Sequence, residues 1–406
     1  MTFERPKLWT PTPLIYSSHL SGRIQDFCKT LEANGKVISW KNRRVLVYLK
    51  FESLHPPHSF KHRGISLFAY RAQEKYGKDV HLVIASGGNA GYAAACAARN
   101  LGIRCTVYLP KFSTPSTIKV LKEQDAEVVV IGSFYAETLE KAKEVVTTEE
   151  KAVLVPAYDD PTVWEGHGSM IEEIAEQLPP GKKPTSIFCS VGGGGMLGGI
   201  MEGCRKVGWE DVTITTLETI GSNCFHHSVL LNIPNASSDF ATNLPPYIER
   251  LSSPLPMDTS KELTLAHFTS FHSAASGSLG ASTPSLGVLQ TALTRRGPVK
   301  PVSVQDEAVM LAALGFVDDH KTLVELACAT TLVPAYFPEV LDSLKLPTPE
   351  GEADDIVLVF IVCGGFKVSS GDIPIWKKGV EEGAAKEGWS GWKVVVGDGQ
   401  EIFVRN

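Results

Sequence analysis

The sequence predicts an α/β protein built on mainly parallel sheets with helices on both faces. Three observations carry this reading. Short apolar runs rich in β-branched residues recur along the 406 residues. Most of them are separated by amphipathic stretches of helical period. The runs are apolar throughout instead of alternating, as strands buried on both faces are. In chain order they fall at 45–49, 82–85, 105–109, 127–131, 152–155, 186–189, 213–217 and 356–362, with helical patterns at 65–76, 92–101, 136–146 and 165–177. Two stretches break the rhythm and read as surface insertions: 23–44, and 232–261 with Pro234, Pro245, Pro246, Pro254 and Pro256. Near the end, 392–403 alternates around Asp398 and Gly399, a good hairpin turn.

Composition narrows the function. A chain of this length buries a large core and is expected to form two domains. The net charge of −6 offers no basic surface to nucleic acid. Eight cysteines without a C-x-x-C pair read as reduced, buried thiols of a cytosolic protein. The N-terminal residues Met1 to Pro6 have no apolar secretory core, and the longest apolar run, 356–363, is too short to span a bilayer, so neither export nor a membrane is expected. The sequon at Asn235 is then a chance match.

The most telling motif is Gly192, Gly193, Gly194 and Gly195, at the end of a strand-like run and the start of a helical stretch beginning at Met196. Such a loop cradles phosphate, because glycine lets a ligand approach the main chain and the helix behind it presents unpaired N–H groups. Gly193, Gly195 and Gly198 also satisfy G-x-G-x-x-G, with Glu218 where a ribose-binding acid would sit, so a nicotinamide dinucleotide is one occupant, another phosphate a second, and a bare tight turn a third. Lys61, beside Phe60 at an element boundary, is a candidate Schiff-base lysine, since an amine in an apolar pocket is easily deprotonated. Ser86, Gly87, Gly88, Asn89 and Ala90 close another strand and open a small-residue helix, a second anion-binding turn. His55, His58 and His62 have metal-like spacing, but no cysteine or acidic cluster completes a tetrahedral site.

Together, Ser59-Phe60-Lys61-x-Arg63-Gly64, Ser86 to Gly91, Asp159-Asp160-Pro161-x-x-Trp164-Glu165-Gly166-His167, Ser190 to Gly195, Glu218-Thr219-x-Gly221 and Val362 to Gly365 resemble the fold type II pyridoxal-phosphate enzymes, and among them the eukaryotic L-serine/L-threonine dehydratases. The blocks run in family order across most of residues 10–366. The resemblance implies a large domain, 1–54 with 161–406, and a small one, 55–160. It implies pyridoxal 5'-phosphate on Lys61, with Phe60, Gly192 to Gly195 and Met196 around the ring and phosphate, Asn89 on the phenolic oxygen and Cys363 facing the pyridine nitrogen. Ser86, Gly87, Gly88 and Ala90 would surround the substrate carboxylate. Glu218, Leu279 and Ala281 match a monovalent-cation region that takes potassium. The implied reaction is β-elimination on a hydroxy amino acid, L-serine to pyruvate and ammonia and L-threonine to 2-oxobutanoate, by a cytosolic homodimer. β-Replacement is the rival within the class, and an NAD(P)-dependent oxidoreductase the rival outside it. The chain departs from its relatives at His58 (commonly Gly), Leu326 and Ala329 (Pro and Gly), Phe366 and Lys367 (Ser and Asn), and Ser222 and Cys224 in the cation loop. These changes bear on the substrate more than on the cofactor.

Overall fold

The computed structural model describes residues 8–35, 40, 43–133, 135–234, 238–255, 258–348 and 355–405. The N-terminal residues Met1 to Pro6, the Asn235 sequon and Pro256 lie outside them. All eight expected strands form, within two residues at either end. In chain order the strands are β1 (Leu14–Tyr16), β2 (Val45–Phe51), β3 (His81–Ala85), β4 (Arg104–Leu109), β5 (Glu127–Val130), β6 (Ala152–Leu154), β7 (Ser186–Ser190), β8 (Thr213–Thr219), β9 (Ile248–Leu255), β10 (Asp258–Phe268), β11 (Val299–Val304), β12 (Ile356–Val362), β13 (Trp392–Val396) and β14 (Gln400–Val404).

They make a large sheet in the order β1-β2-β12-β7-β8-β11-β13-β14, a four-stranded sheet β5-β4-β3-β6, and a separate hairpin of β9 and β10. From β2 to β11 the large sheet is parallel; β1 and β13 run antiparallel to it at the two sides, and β14 pairs antiparallel with β13. The smaller sheet is parallel throughout. Every residue of β12 is buried, as its unbroken apolar sequence requires of a strand covered on both faces. The hairpin expected at 392–403 is β13 and β14.

One expectation needs correction. Much of 23–44 is not a surface insertion. Helix α1 (Ser18–Ala33), capped by Ser17 accepting from the Leu20 N–H, buries Leu20, Ile24, Cys28 and Leu31 at helical spacing. Within 232–261, the described part carries β9 and the start of β10, whose residues Leu265, Ala266 and Phe268 are buried beyond it. Strand β11 was not expected because Pro301 lies inside it.

The parallel strands of both sheets deliver their carboxyl ends to one cleft. Helices α2 (Lys61–Tyr76) and α3 (Asn89–Leu101) start there, as do the helices Pro161–Gln177 and Gly195–Lys206. Ligands bind at such ends in open α/β sheets because the turns leave helix N-termini facing the crevice.

Candidate active site

The segment leading into α2 is fastened to the end of β12. Ser59 pairs with Gly364 in a short antiparallel bridge, the Phe60 N–H donates to Cys363 O at 3.1 Å, and the Gly365 N–H donates to His58 O at 2.7 Å. His58 holds a left-handed φ of +55°. Lys61 is the first residue of α2. Its Nζ lies 5.2 Å from the Phe60 ring centroid and donates to Ala157 O at 2.8 Å. Burial pushes its ammonium down to about 8, while Cys363 opposes the shift. A lysine so desolvated, with a carbonyl as its partner, readily yields the neutral amine. Behind it, the buried His167 accepts from the Gly64 N–H through Nδ1 at 3.1 Å and packs on Phe60 at 4.8 Å. Burial and then the Lys61 charge push this imidazole well below its usual value, so it is neutral.

Beyond Ala157 the chain meets the glycine loop. The Tyr158 ring lies where a Cβ on Gly193 would stand, 2.4 Å away, so only glycine fits. Gly194 has a φ of +97° and starts the helix Gly195–Lys206, whose first turn includes Met196. The N–H groups of Gly192, Gly193 and Gly194 find no acceptor among the described residues. Donors left open at a helix N-terminus are those a phosphate satisfies, and Lys61 is one tyrosine away, so these residues fit the cofactor the resemblance implies.

From the smaller sheet come Ser86, Gly87, Gly88, Asn89 and Ala90. Ser86 Oγ accepts from the Gly88 N–H at 3.2 Å; Gly87 faces Leu109, and Ala90 is buried. Asn89 bridges the two sheets, accepting from the Phe366 N–H at 3.2 Å and donating to both Glu325 oxygens at 3.4 Å. Glu325 also accepts from Ser278 Oγ at 2.5 Å and the Lys367 N–H at 3.0 Å. Cys363 directly follows β12, with its Sγ 3.6 Å from Ser190 Oγ.

The structure thus brings Phe60, Lys61, Asn89, the glycine loop and Cys363 around one cleft. Glu218 lies deeper. It is fully buried and accepts from the Phe225 and His226 N–H groups, at 3.0 and 2.7 Å, closing the N-terminus of the helix Cys224–Leu231. Burial outweighs those two bonds and raises its carboxyl well above the usual range. An acid so engaged does not reach a ribose. Leu279 O lies 3.0 Å from where a Cβ on Gly192 would stand, and Ala281 packs with Cys224. Among the described residues no group of three or more His, Cys, Asp or Glu can hold a metal ion, so the His55, His58, His62 spacing builds none.

Sequence reasoning missed Ala157, Tyr158, the role of Glu325 and a buried ionic cluster two residues past Lys61. Arg63 there donates to Glu52 at 2.6 and 2.8 Å and to Glu173 at 2.6 and 2.7 Å. Lys50 Nζ adds 2.6 Å to Glu173 and 2.7 Å to Thr12 O. The available signal was a lysine inside an otherwise apolar strand.

With this geometry in hand, comparisons with known proteins are specific. Residues 7–364 match the family model described as pyridoxal-phosphate dependent enzyme. The chain is 36% identical over 339 residues to the L-serine dehydratase/L-threonine deaminase of Bos taurus, covering 82% of this chain and 89% of that one. It is 33% identical over 332 residues to the L-serine dehydratase of Dictyostelium discoideum, covering 80% and 84%. Among solved structures, the fungal L-serine ammonia-lyase from Rhizomucor miehei matches with a TM-score of 0.71 at 24% identity, over 91% of this chain and 98% of that one. The open glycine loop, the desolvated lysine and these matches agree: the chain belongs to the pyridoxal-phosphate dependent enzyme family and has its fold type II architecture.

Proposed function

We propose that the protein is a dehydratase that eliminates the β-hydroxyl of a small hydroxy amino acid, converting L-serine to pyruvate and ammonia and L-threonine to 2-oxobutanoate and ammonia. The observation that carries the reading is Lys61, an amine brought to about 8 by burial, one residue pair from the open N–H groups of the glycine loop. The names of the relatives at 33% and 36% identity support the substrate class.

Pyridoxal phosphate, when bound, supplies the sink for the electrons left at the α-carbon. The N–H groups of Gly192 to Gly195 and Met196 would hold its phosphate, and Phe60 would pack beside its ring. Asn89, its Oδ1 fixed by the Phe366 N–H, would donate through Nδ2 to the phenolic oxygen. Cys363, braced by Ser190, would face the ring nitrogen. Lys61 Nζ, as the free amine, would accept the α-proton. Ser86, Gly87, Gly88 and Ala90 orient the substrate by its carboxylate. The released enamine tautomerises and hydrolyses in water.

We further propose a large domain of 1–54 with 161–406 and a small one of 55–160; the division of strands between the two parallel sheets supports it. Potassium or a similar ion would bind among Glu218, Leu279 and Ala281; the buried hydroxyl of Ser222, four residues past Glu218, has no hydrogen-bond partner among the described residues. A cytosolic homodimer completes the reading. All eight cysteines are free, which suits a reducing compartment, and among the described residues no helix is long and apolar enough to cross a membrane.

The test is oxo-acid release across a panel of β-substituted amino acids, with borohydride fixing the cofactor on Lys61. L-Serine and L-threonine should be the best substrates. A protein that binds a reduced nicotinamide and cannot be labelled on Lys61 would overturn the reading.

A further inference from the structure

Lys367 is one of the departures from the family pattern, and its surroundings give it a task. A Cβ built on Gly88 would stand 3.3 Å from Lys367 Nζ, 3.5 Å from its Cε and 3.7 Å from Ser86 Oγ. The ammonium and the hydroxyl therefore converge on one point beside the first turn of α3. Ser86 Oγ already accepts from the Gly88 N–H, which leaves its own proton free to donate. The Lys367 backbone is held in place by the bond from its N–H to Glu325.

Two acids line a cleft with Lys367 without pairing with its ammonium. The cleft holds about 160 Å³, and the two acids in it are Glu325 and Asp372. Both have other partners. Glu325 takes Asn89, Ser278 and the Lys367 N–H; Asp372 takes the N–H and Oγ of Ser369, at 2.7 and 3.1 Å. The lysine forms no ion pair among the described residues.

We infer that Lys367 pairs with the α-carboxylate of the substrate, adding a cation to a loop whose other donors are neutral; this rests on the reading of Ser86 to Ala90 given above. The enzyme would then recognise its amino acid by charge as well as by hydrogen bonds. The side chain is exposed, so the pair belongs at the weak end of charge-assisted bonds.

The experiment uses the holoenzyme with Lys367→Ala, Lys367→Arg and Lys367→Gln. In Lys367→Ala the KM for L-serine should rise about tenfold while kcat changes less than twofold, the lower end expected for one charged hydrogen bond. The dissociation constant of L-alanine, which has no leaving group, read from the cofactor's absorbance, should rise by the same factor. Arg should rescue and Gln should not, and the binding of L-serinamide, which lacks the carboxylate, should not respond. Unchanged KM and dissociation constants would overturn the inference and leave Lys367 facing solvent. An equal loss with L-serinamide would overturn it in favour of a structural role. A loss confined to substrates with a second carboxylate, such as 3-hydroxyaspartate, would overturn it in favour of a side-chain contact. A holoenzyme that binds no amino acid at all would remove the parent reading and this one together.

Discussion

Two cations two residues apart on the first turn of α2 have opposite fates. Lys61 points into the cleft with a carbonyl for a partner, and burial lowers it to about 8. Arg63 points away from it, fully buried between Glu52 and Glu173; burial lowers it, but the two carboxylates more than reverse the effect and hold it charged. Burial alone therefore does not decide whether a cation is reactive. The presence of a carboxylate does, because an opposite charge inside a poorly solvated site favours the ionised form. The chain has a chemical lysine and a structural anchor on one helical turn, and the anchor fixes the turn that carries the chemistry.

Removing each cation should break a different property. Lys61→Ala should lower oxo-acid release by at least a hundred- to ten-thousandfold, the usual range for a lost acid–base group, without destabilising the fold in urea. Turnover at a tenth of the parent rate would mean another lysine carries the cofactor. Arg63→Met should do the reverse in kind: it leaves Glu52 and Glu173 buried without their partner and should cost about 3–5 kcal/mol in urea unfolding. A loss below about 1 kcal/mol would show that Lys50 and His55 suffice to hold the two carboxylates.

A pH titration sharpens the contrast. In the apoprotein the folded value of Lys61, about 8, lies below the unfolded value of roughly 10.4. Below about pH 8 both states carry the proton, and the full cost of burying the ammonium is present. Between about 8 and 10.4 the unfolded chain binds more protons, so Lys61 makes stability rise with pH in this window. The buried thiols of Cys189 and Cys204, raised by burial, pull the other way. The measurement is therefore the difference between parent and Lys61→Ala, in which the other groups cancel. That difference should shrink as pH rises from 8 to 10. A flat difference would mean the amine is not desolvated. Arg63 adds no slope here, since a guanidinium does not titrate in this range.

The fold was legible where one physical signal dominated. The eight strands could be read because each is apolar throughout and sits between helices, whereas β11 was hidden by Pro301 and α1 by polar residues between its buried Ile24, Cys28 and Leu31. In the site, residues whose chemistry depends on local sequence could be read: Lys61 beside Phe60, and four glycines before a helix. What could not be read depends on contacts between distant segments. Ala157 is 96 residues from Lys61, and Glu325 is 236 residues from Asn89. No periodicity reports such a meeting.

His58 offers the finest cut, because it lies between the two cations' shared turn and the end of β12. Its φ of +55° falls in the left-handed region, where a non-glycine residue brings its Cβ against the backbone at a cost of about 1 kcal/mol. The turn is nevertheless held there, since His58 O accepts from the Gly365 N–H at 2.7 Å and the next residue bridges to Gly364. Glycine would keep those backbone bonds and remove the strain, at the price of a more flexible unfolded chain. The exposed imidazole has little to lose: its ring sits 6.5 Å from that of Tyr92, which in turn packs at 5.0 Å on Phe366. His58→Gly should therefore leave stability within about 1 kcal/mol of the parent, with stabilisation the expected sign. If the imidazole also shapes the cleft through Tyr92 and Phe366, the variant should change the ratio of kcat/KM for L-threonine over L-serine while leaving Lys61 chemistry intact. A destabilisation beyond about 2 kcal/mol would show instead that the His58 side chain, and not the β12 anchor, holds the turn that aims Lys61.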